Sequence, residues 1–288
     1  MTLLDRLLRV VGAMQHGQRA ANPAKLLRRA AKRKPTESLD SYDCCLQGMA
    51  CAYRGELRKA ADFHQQAIEK DPEYAEAYGL AAQVHCAIQA FEGVTLDPGE
   101  KNRAIEFARR AAVLGSDDAL CLARAAQTLA YLGKEYERAT ALIEQAIVLN
   151  PNLAMVWKAS GWISVINCDS ERAIESFSRV TQLSPVDPSR SDAWNGISWA
   201  YFIAGSYDEG CLWATRALQH SSNAMSLGAF TANAVLAGRS SEAQEAAKHL
   251  GEIAPTFCAS HAGDTIVFRE PVVAAKMRAA LRQAGLPD

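Results

Sequence analysis

The chain has 288 residues, 49 % of them hydrophobic and only 7 % aromatic, and its 31 basic and 32 acidic side chains leave a formal net charge of −1. A balance so close to zero excludes a global field that recruits nucleic acid or membrane, so any electrostatic recognition is local. No stretch reaches the roughly eighteen apolar residues of a membrane span, Asp5, Arg6 and Arg9 interrupt the apolar N-terminus, and eight cysteines without a CxxC pair suit a reducing cytoplasm better than a disulfide framework or a zinc site.

Residues 1–40 differ in character from the rest. Leu3, Leu4, Leu7, Leu8 and Val11 make a short apolar helical stripe, Asn22 and Pro23 break it, and Lys25, Arg28, Arg29, Lys32, Arg33 and Lys34 then follow without a single acid among them. Such a run meets phosphate or an acidic partner, or it is a solvated basic lead-in. The absence of interleaved aromatics favours the second reading over nucleic-acid binding.

After residue 40 one spacing recurs. Ala60, Ala104, Ala139, Ala173, Gly210 and Ala243 are each followed twelve residues later by Pro72, Ser116, Pro151, Pro185, Ser222 or Pro255, at successive intervals of 44, 35, 34, 37 and 33. Residues 154–185 show what the spacing means. Two antiparallel helices cross closely only where small side chains meet, and Gly161 and Ala173 supply them. Trp157 lies one turn before Gly161 and Phe177 one turn after Ala173, so both fill space on the same faces. Pro185, with no amide hydrogen, ends the unit. Gly48, Ala60 and Pro72 mark the first unit, and Trp194, Ile197, Ser198 and Tyr201 the fifth. A period near 34 of this kind is a helical-hairpin repeat, so the fold class is all-α.

In chain order, the first repeat covers residues 41–74, and the second carries about ten extra residues around positions 91–100. There Asp97, Pro98 and Glu100 read as an N-cap, a first-turn proline and a capping-box acid, so the insertion is expected to be a surface excursion that restarts the second helix. The third repeat is residues 119–153, the fourth 154–185, and two prolines between 184 and 190 stiffen the joint to the fifth. The sixth, residues 224–257, lacks aromatic fillers and should be the loosest. Residues 271–284 form one more amphipathic helix, with Val272, Val273, Met277, Ala280 and Leu281 on one face and Gly285 and Pro287 as the stop, which reads as a cap. The expected organisation is a basic extension (1–40), an array (41–257) and a capping segment (258–288) in one elongated body.

These marks resemble the tetratricopeptide repeat (TPR): Trp157, Gly161, Ala173, Phe177 and Pro185 stand at its signature places, while Ser160 and Ser164 depart from it. The resemblance implies a right-handed superhelical solenoid of about six hairpins. ESLDSY at 37–42, the enlarged second repeat ending AIEFARRA at 104–111, LSPVDP at 183–188 and LRQAGLP at 281–287 are similar to the C-terminal TPR regions of bacterial class III adenylate cyclases and winged-helix transcriptional regulators. Those proteins place a catalytic or DNA-binding head before the repeats. Forty residues leave no room for one, so the chain reads as the regulatory part standing alone.

The resemblance further implies that the first helix of each repeat lines a concave groove. Carried onto this sequence, the groove comprises Tyr42, Met49, Tyr53, Gln83, Gln127 and Tyr131, then Lys158, Trp162, Ile166, Asn195, Trp199 and Phe202. Two tryptophans facing a groove suit an apolar peptide or helix; the other reading is that they pack between adjacent first helices. Only Lys158 and Asn195 match the residues with which chaperone-binding TPR domains grip a carboxylate, which disfavours that use. No GxxxxGK[ST], HExxH or GxSxG motif is present, and His16, His64, His85, His220, His249 and His261 stand apart from one another. The expectation is a non-enzymatic scaffold without catalytic residue, metal or cofactor. Its partner is a protein, a second copy of the chain included, met in the cytoplasm. The alternative is a regulatory or oligomerisation part of a cyclase-like or transcriptional system.

Overall fold

The computed structural model describes residues 37–184 and 190–288; the basic run between Lys25 and Lys34, and Pro185 with the joint that follows it, lie outside the described residues. Among the described residues every regular element is a helix. Six hairpins follow one another: α1 (Glu37–Tyr53) with α2 (Leu57–Lys70), α3 (Ala75–Glu92) with α4 (Pro98–Leu114), and α5 (Ala119–Tyr131) with α6 (Tyr136–Leu149). Then come α7 (Ala154–Ile166) with α8 (Ser170–Leu183), α9 (Arg190–Ala204) with α10 (Tyr207–Leu218), and α11 (Ala224–Leu236) with α12 (Ser240–Ile253). The short α13 (Ala262–Thr265) and the longer α14 (Pro271–Gln283) close the chain.

Local chemistry sets several of these boundaries. The Asp97 carboxylate accepts from the amides of Gly99 at 2.7 Å and Glu100 at 3.0 Å, with Pro98 in the first turn, so α4 starts where the sequence places it. Asp118, Asp169 and Asn223 cap α5, α8 and α11 in the same way. Pro72, Pro151 and Pro255 each occupy the turn after a second helix, where a missing amide hydrogen breaks no helical bond.

The helix crossings depend on glycine. A side chain begun at Gly161 would stand 2.7 Å from the Phe177 ring, and Gly196 on α9 presses on the same ring from the other side. Phe177 is fully buried, held between the backbones of two successive first helices. Gly161 therefore accommodates Phe177, one turn beyond Ala173. Gly48 stands in the same relation to the His64 imidazole. At the fifth unit Gly210 lies against Asn233, and Ser198 donates to the Gly210 carbonyl at 2.8 Å.

The first helices α1, α3, α5, α7, α9 and α11 touch in succession and form an inner row, while each second helix packs on its own first helix and on that of the next unit. The row curls until α3 meets α11. At this seam Gly93, in a left-handed conformation at φ +67°, brings the backbone so close that an added Cβ would lie 2.9 Å from Ala224, 3.2 Å from Ala254 and 3.4 Å from Phe257. Leu96 of the same insertion is buried. Gly93 and Leu96 therefore make part of the insertion a seam to the sixth unit, while Phe91, Thr95 and Asp97 to Gly99 remain at the surface, and the body is curled back on itself instead of elongated. The sixth unit is the other side of this seam. Its small residues, Ala224, Gly228, Ala229 and Ala232, let α3, α9 and α14 pack onto α11.

Candidate functional site

A curved row of largely apolar first helices cannot face water without cost, since each buried large apolar side chain is worth about 1.5–3 kcal/mol. The chain covers the row with its own C-terminal residues. The α14 helix packs on α11, with Met277 and Leu281 fully buried. Beyond it, Gly285 at φ +98° turns the chain so that the Pro287 carbonyl accepts from the Ala259 amide at 2.7 Å. The predicted cap is present, and it lies against the inner row.

Between these anchors residues 262–270 run across the inner face as a strap. Its main chain is held by three units in turn. Gln89 on α3 donates to the Asp264 carbonyl at 2.5 Å, the Tyr131 hydroxyl on α5 donates to the Thr265 carbonyl at 2.6 Å, and the Arg269 amide donates to the carbonyl of Ile166, the last residue of α7, at 2.7 Å. Its side chains meet the others. Ile266 lies beside Gly228 on α11. The Phe268 ring stacks on Phe202 at 6.1 Å between centroids and meets Trp199 edge-on at 5.6 Å. The Arg269 guanidinium pairs with Glu137 at 2.7 Å and lies 5.2 Å from the Tyr136 ring centre. Just past the strap, Lys276 donates to the Phe202 carbonyl at 3.4 Å and caps that ring at 4.9 Å.

The electrostatics follow from this packing. Burial pushes the Tyr131 hydroxyl well above its usual range, so it stays a donor. The Glu137 carboxyl is held below its ordinary value, first by a hydrogen bond from its own backbone amide and then by Arg269.

The predicted groove residues divide accordingly. Trp199 and Phe202 are fully buried and Tyr131 nearly so, which corrects the expectation that they face an open groove: the strap occupies that space. Trp162 is buried edge-on against Phe177, with its indole nitrogen donating to Asp192 at 3.3 Å. Lys158 pairs with the same carboxylate at 3.4 Å, and Asn195 is buried beside them in α9. Of the two readings of these aromatics, packing inside the molecule describes what is observed. Tyr53 and Met49 of this set are open, 57 % and 36 % exposed on α1 and outside the strap's contacts. The repeat markers Trp157 and Trp194 are half-buried, the first donating to the Pro151 carbonyl at 2.7 Å and the second flanked by Arg190 and Arg216. Tyr201 is half-buried too.

Sequence reasoning missed Gln89, Glu137, Phe268 and Arg269. The available signal was the apolar run Thr265 to Phe268 lying between two helices with no helical periodicity of its own. It also missed a local pair, for Cys258 Sγ lies 3.1 Å from His261 Nδ1 and 3.3 Å from Ser260 Oγ. Among the described residues no group of three His, Cys, Asp or Glu side chains could hold a metal ion, and no helix is long and apolar enough to cross a membrane.

Six hairpins with small residues at their crossings, first helices inward and a closing helix define an all-α solenoid of TPR type. Among solved structures the chain is similar to the Cut9–Hcn1 hetero-tetramer of the APC/C, with a TM-score of 0.60 and 18 % identity over 97 % of this chain and 49 % of that one. It is similar to the human IFIT1 dimer with PPP-AAAA, at a TM-score of 0.61 and 18 % identity over 73 % of this chain and 49 % of that one. It is also similar to PilW, a type IV pilus biogenesis factor, at a TM-score of 0.53 and 16 % identity over 75 % and 94 % of the two chains. The chain thus spans about half the length of the Cut9–Hcn1 and IFIT1 chains it matches. Likeness at these identities shows the fold alone. No protein-family profile and no curated protein matches the sequence.

Proposed function

We propose that the chain is a non-enzymatic protein-interaction scaffold whose inner wall holds a polypeptide segment. The observation that carries this reading is the grip on residues 264–269. Three successive first helices bind main-chain groups, which supplies affinity without regard to sequence, while the buried Trp199–Phe202 pocket and the surface Glu137–Tyr136 pair at the start of α6 choose side chains. Two of the similar structures are assemblies, one a hetero-tetramer and one a dimer, and scaffold use is in keeping with that. Tyr53, Lys158, Trp162 and Asn195 extend the same wall on this reading. The test compares the strap's border with a second-helix residue elsewhere. A partner retained by the immobilised chain should be lost on Glu137→Lys, at the start of α6 where it meets Arg269 of the strap, and kept on Leu212→Glu, whose leucine is exposed on α10. The opposite pattern would refute the reading.

The resemblance to cyclase and winged-helix TPR regions supports a second reading, a regulatory or oligomerisation part of such a system. The enlarged second repeat and the closing LRQAGLP, which carry that resemblance, build the seam and the tail anchor here. Recovery of a cyclase or DNA-binding head as the retained partner favours it; unrelated clients leave the first reading standing.

A further inference from the structure

We propose that residues 262–270 are a cis-acting occupant of the partner site, and that the partner which replaces them is a polypeptide segment presenting an aromatic side chain followed by arginine. The proposal rests on the reading above, that the inner wall is a partner surface.

Three observations lead to it. The first is the manner of holding. The strap's main chain is bonded by Gln89 and Tyr131 at the end of the α13 turn and by the Ile166 carbonyl beyond it, and such bonds are equally available to any backbone that follows the same path. The second is the chemistry of the two pockets. Trp199 and Phe202 enclose a ring, and beside it Glu137 and Tyr136 meet an exposed guanidinium at the surface, so adjacent aromatic and arginine side chains define what fits. The third is how the strap is joined to the rest. Ser260 and His261 at one end and Glu270 to Val272 at the other are exposed, while α14 keeps its own anchorage through Met277, Leu281 and the Ala259–Pro287 bond. The strap can lift while the cap stays.

Trp199 and Phe202 are covered when the strap is down, so a partner and the strap exclude one another. Each lowers the apparent affinity of the wall for the other, and the strap, being tethered, competes at a high effective concentration. The free chain is then the closed state of a scaffold that opens only to a segment of matching chemistry.

The experiment uses the full chain and a fluorescein-labelled peptide with the sequence of residues 262–272. The anisotropy titration is expected to show binding at least about tenfold tighter to a Phe268→Ala chain than to the parent, because the cis competitor is weakened while the wall is intact. A peptide with alanine in place of its phenylalanine or arginine should bind neither. Hydrogen exchange on the unaltered chain, which needs no variant to fold, should show the Arg269 amide opening well before the interior amides of α7 and α9. Exchange of that amide only with global unfolding would overturn the proposal, since the strap would then be part of the core. Equal binding of the peptide to both chains, or binding to neither, would overturn it as well. A concentration-dependent dimer abolished by Phe268→Ala would replace the cis occupant by the strap of a second copy. None of these failures touches the inner-wall reading, which the Glu137→Lys and Leu212→Glu comparison decides separately.

Discussion

The first and fourth hairpins solve the same packing problem with different side chains. In each, a glycine on the first helix makes room for a ring from the second. In the fourth unit that ring is Phe177, which Gly161 and Gly196 enclose, and in the first it is the imidazole of His64 beside Gly48. Phenylalanine brings no polar atom into the crossing. Histidine brings two nitrogens, and Nδ1 has no hydrogen-bond partner among the described residues. The surroundings differ as well. Cys44, Cys45, Ala67 and Ile68 of the first unit form a small apolar cluster with α3, separate from the core that runs through the later units, and the strap does not reach them. One geometry thus gives an uncharged, enclosed middle and a titratable end.

The largest expected effect breaks the stronger side of the comparison. Phe177→Ala should cost about 3–5 kcal/mol in denaturant unfolding, because the two glycines cannot move in to fill the space. A loss below about 1 kcal/mol would mean that the crossing does not depend on the ring.

Acid should act on the other side. Burial, with the charge of Arg124 and the neighbouring His85 adding to it, lowers the His64 pKa from 6.5 to about 4. The unfolded chain therefore takes up a proton below pH 6.5 that the native crossing refuses. The contribution is complete above pH 6.5, is lost progressively as pH falls towards 4, and at about 1.4 kcal/mol per pH unit amounts to on the order of 3 kcal/mol. His64→Phe, which places the fourth unit's ring in the first, should flatten that part of the stability–pH curve. An unchanged slope would assign the acid sensitivity elsewhere.

A smaller effect sharpens the equivalence of the two crossings. Gly48→Ala should cost about 1–3 kcal/mol by crowding the imidazole. In a His64→Ala background most of that cost should vanish, which is a coupling of about 1–3 kcal/mol in a double-mutant cycle. Additive losses would show that Gly48 is needed for another reason.

The last expectation is a contrast in reactivity. Ser260 and then His261, through its backbone amide and its ring, hold the Cys258 thiol below its ordinary range, whereas burial raises those of Cys168 and Cys211 and pushes that of Cys86 to about 12. Iodoacetamide should therefore label Cys258 first, at a rate that reaches its half-maximum below pH 8.5, and His261→Ala should move that point upward. Cys44 and Cys45 should react only as the first unit opens. Equal labelling of Cys258 and Cys168, read by peptide mass mapping, would contradict this.

These contrasts also show what a sequence displays and what it hides. The hairpins were legible because their marks are local: Asp97 caps within three residues, Gly161 meets a ring on the adjoining helix, and Pro271 and Gly285 bound the closing helix within one turn of its observed ends. The strap was not. Its bonds join Gln89 to Asp264 and Tyr131 to Thr265, residues 175 and 134 positions apart, and no periodicity records a contact of that kind. Curvature was hidden for a related reason, since it accumulates from small rotations at each unit. The repeat pattern offered a set of inward-facing candidates. What it could not supply was the occupant.

The seam at Gly93 has a consequence for how this chain can change over generations. An open row of hairpins tolerates the duplication or deletion of a whole unit, because each member needs only its neighbours. Here the second member must also meet the sixth, and Ala224, Ala254 and Phe257 must arrive opposite a glycine. An added hairpin would carry them out of reach and a lost one would drive them past it, so the tally of repeats is itself a fixed dimension of the molecule.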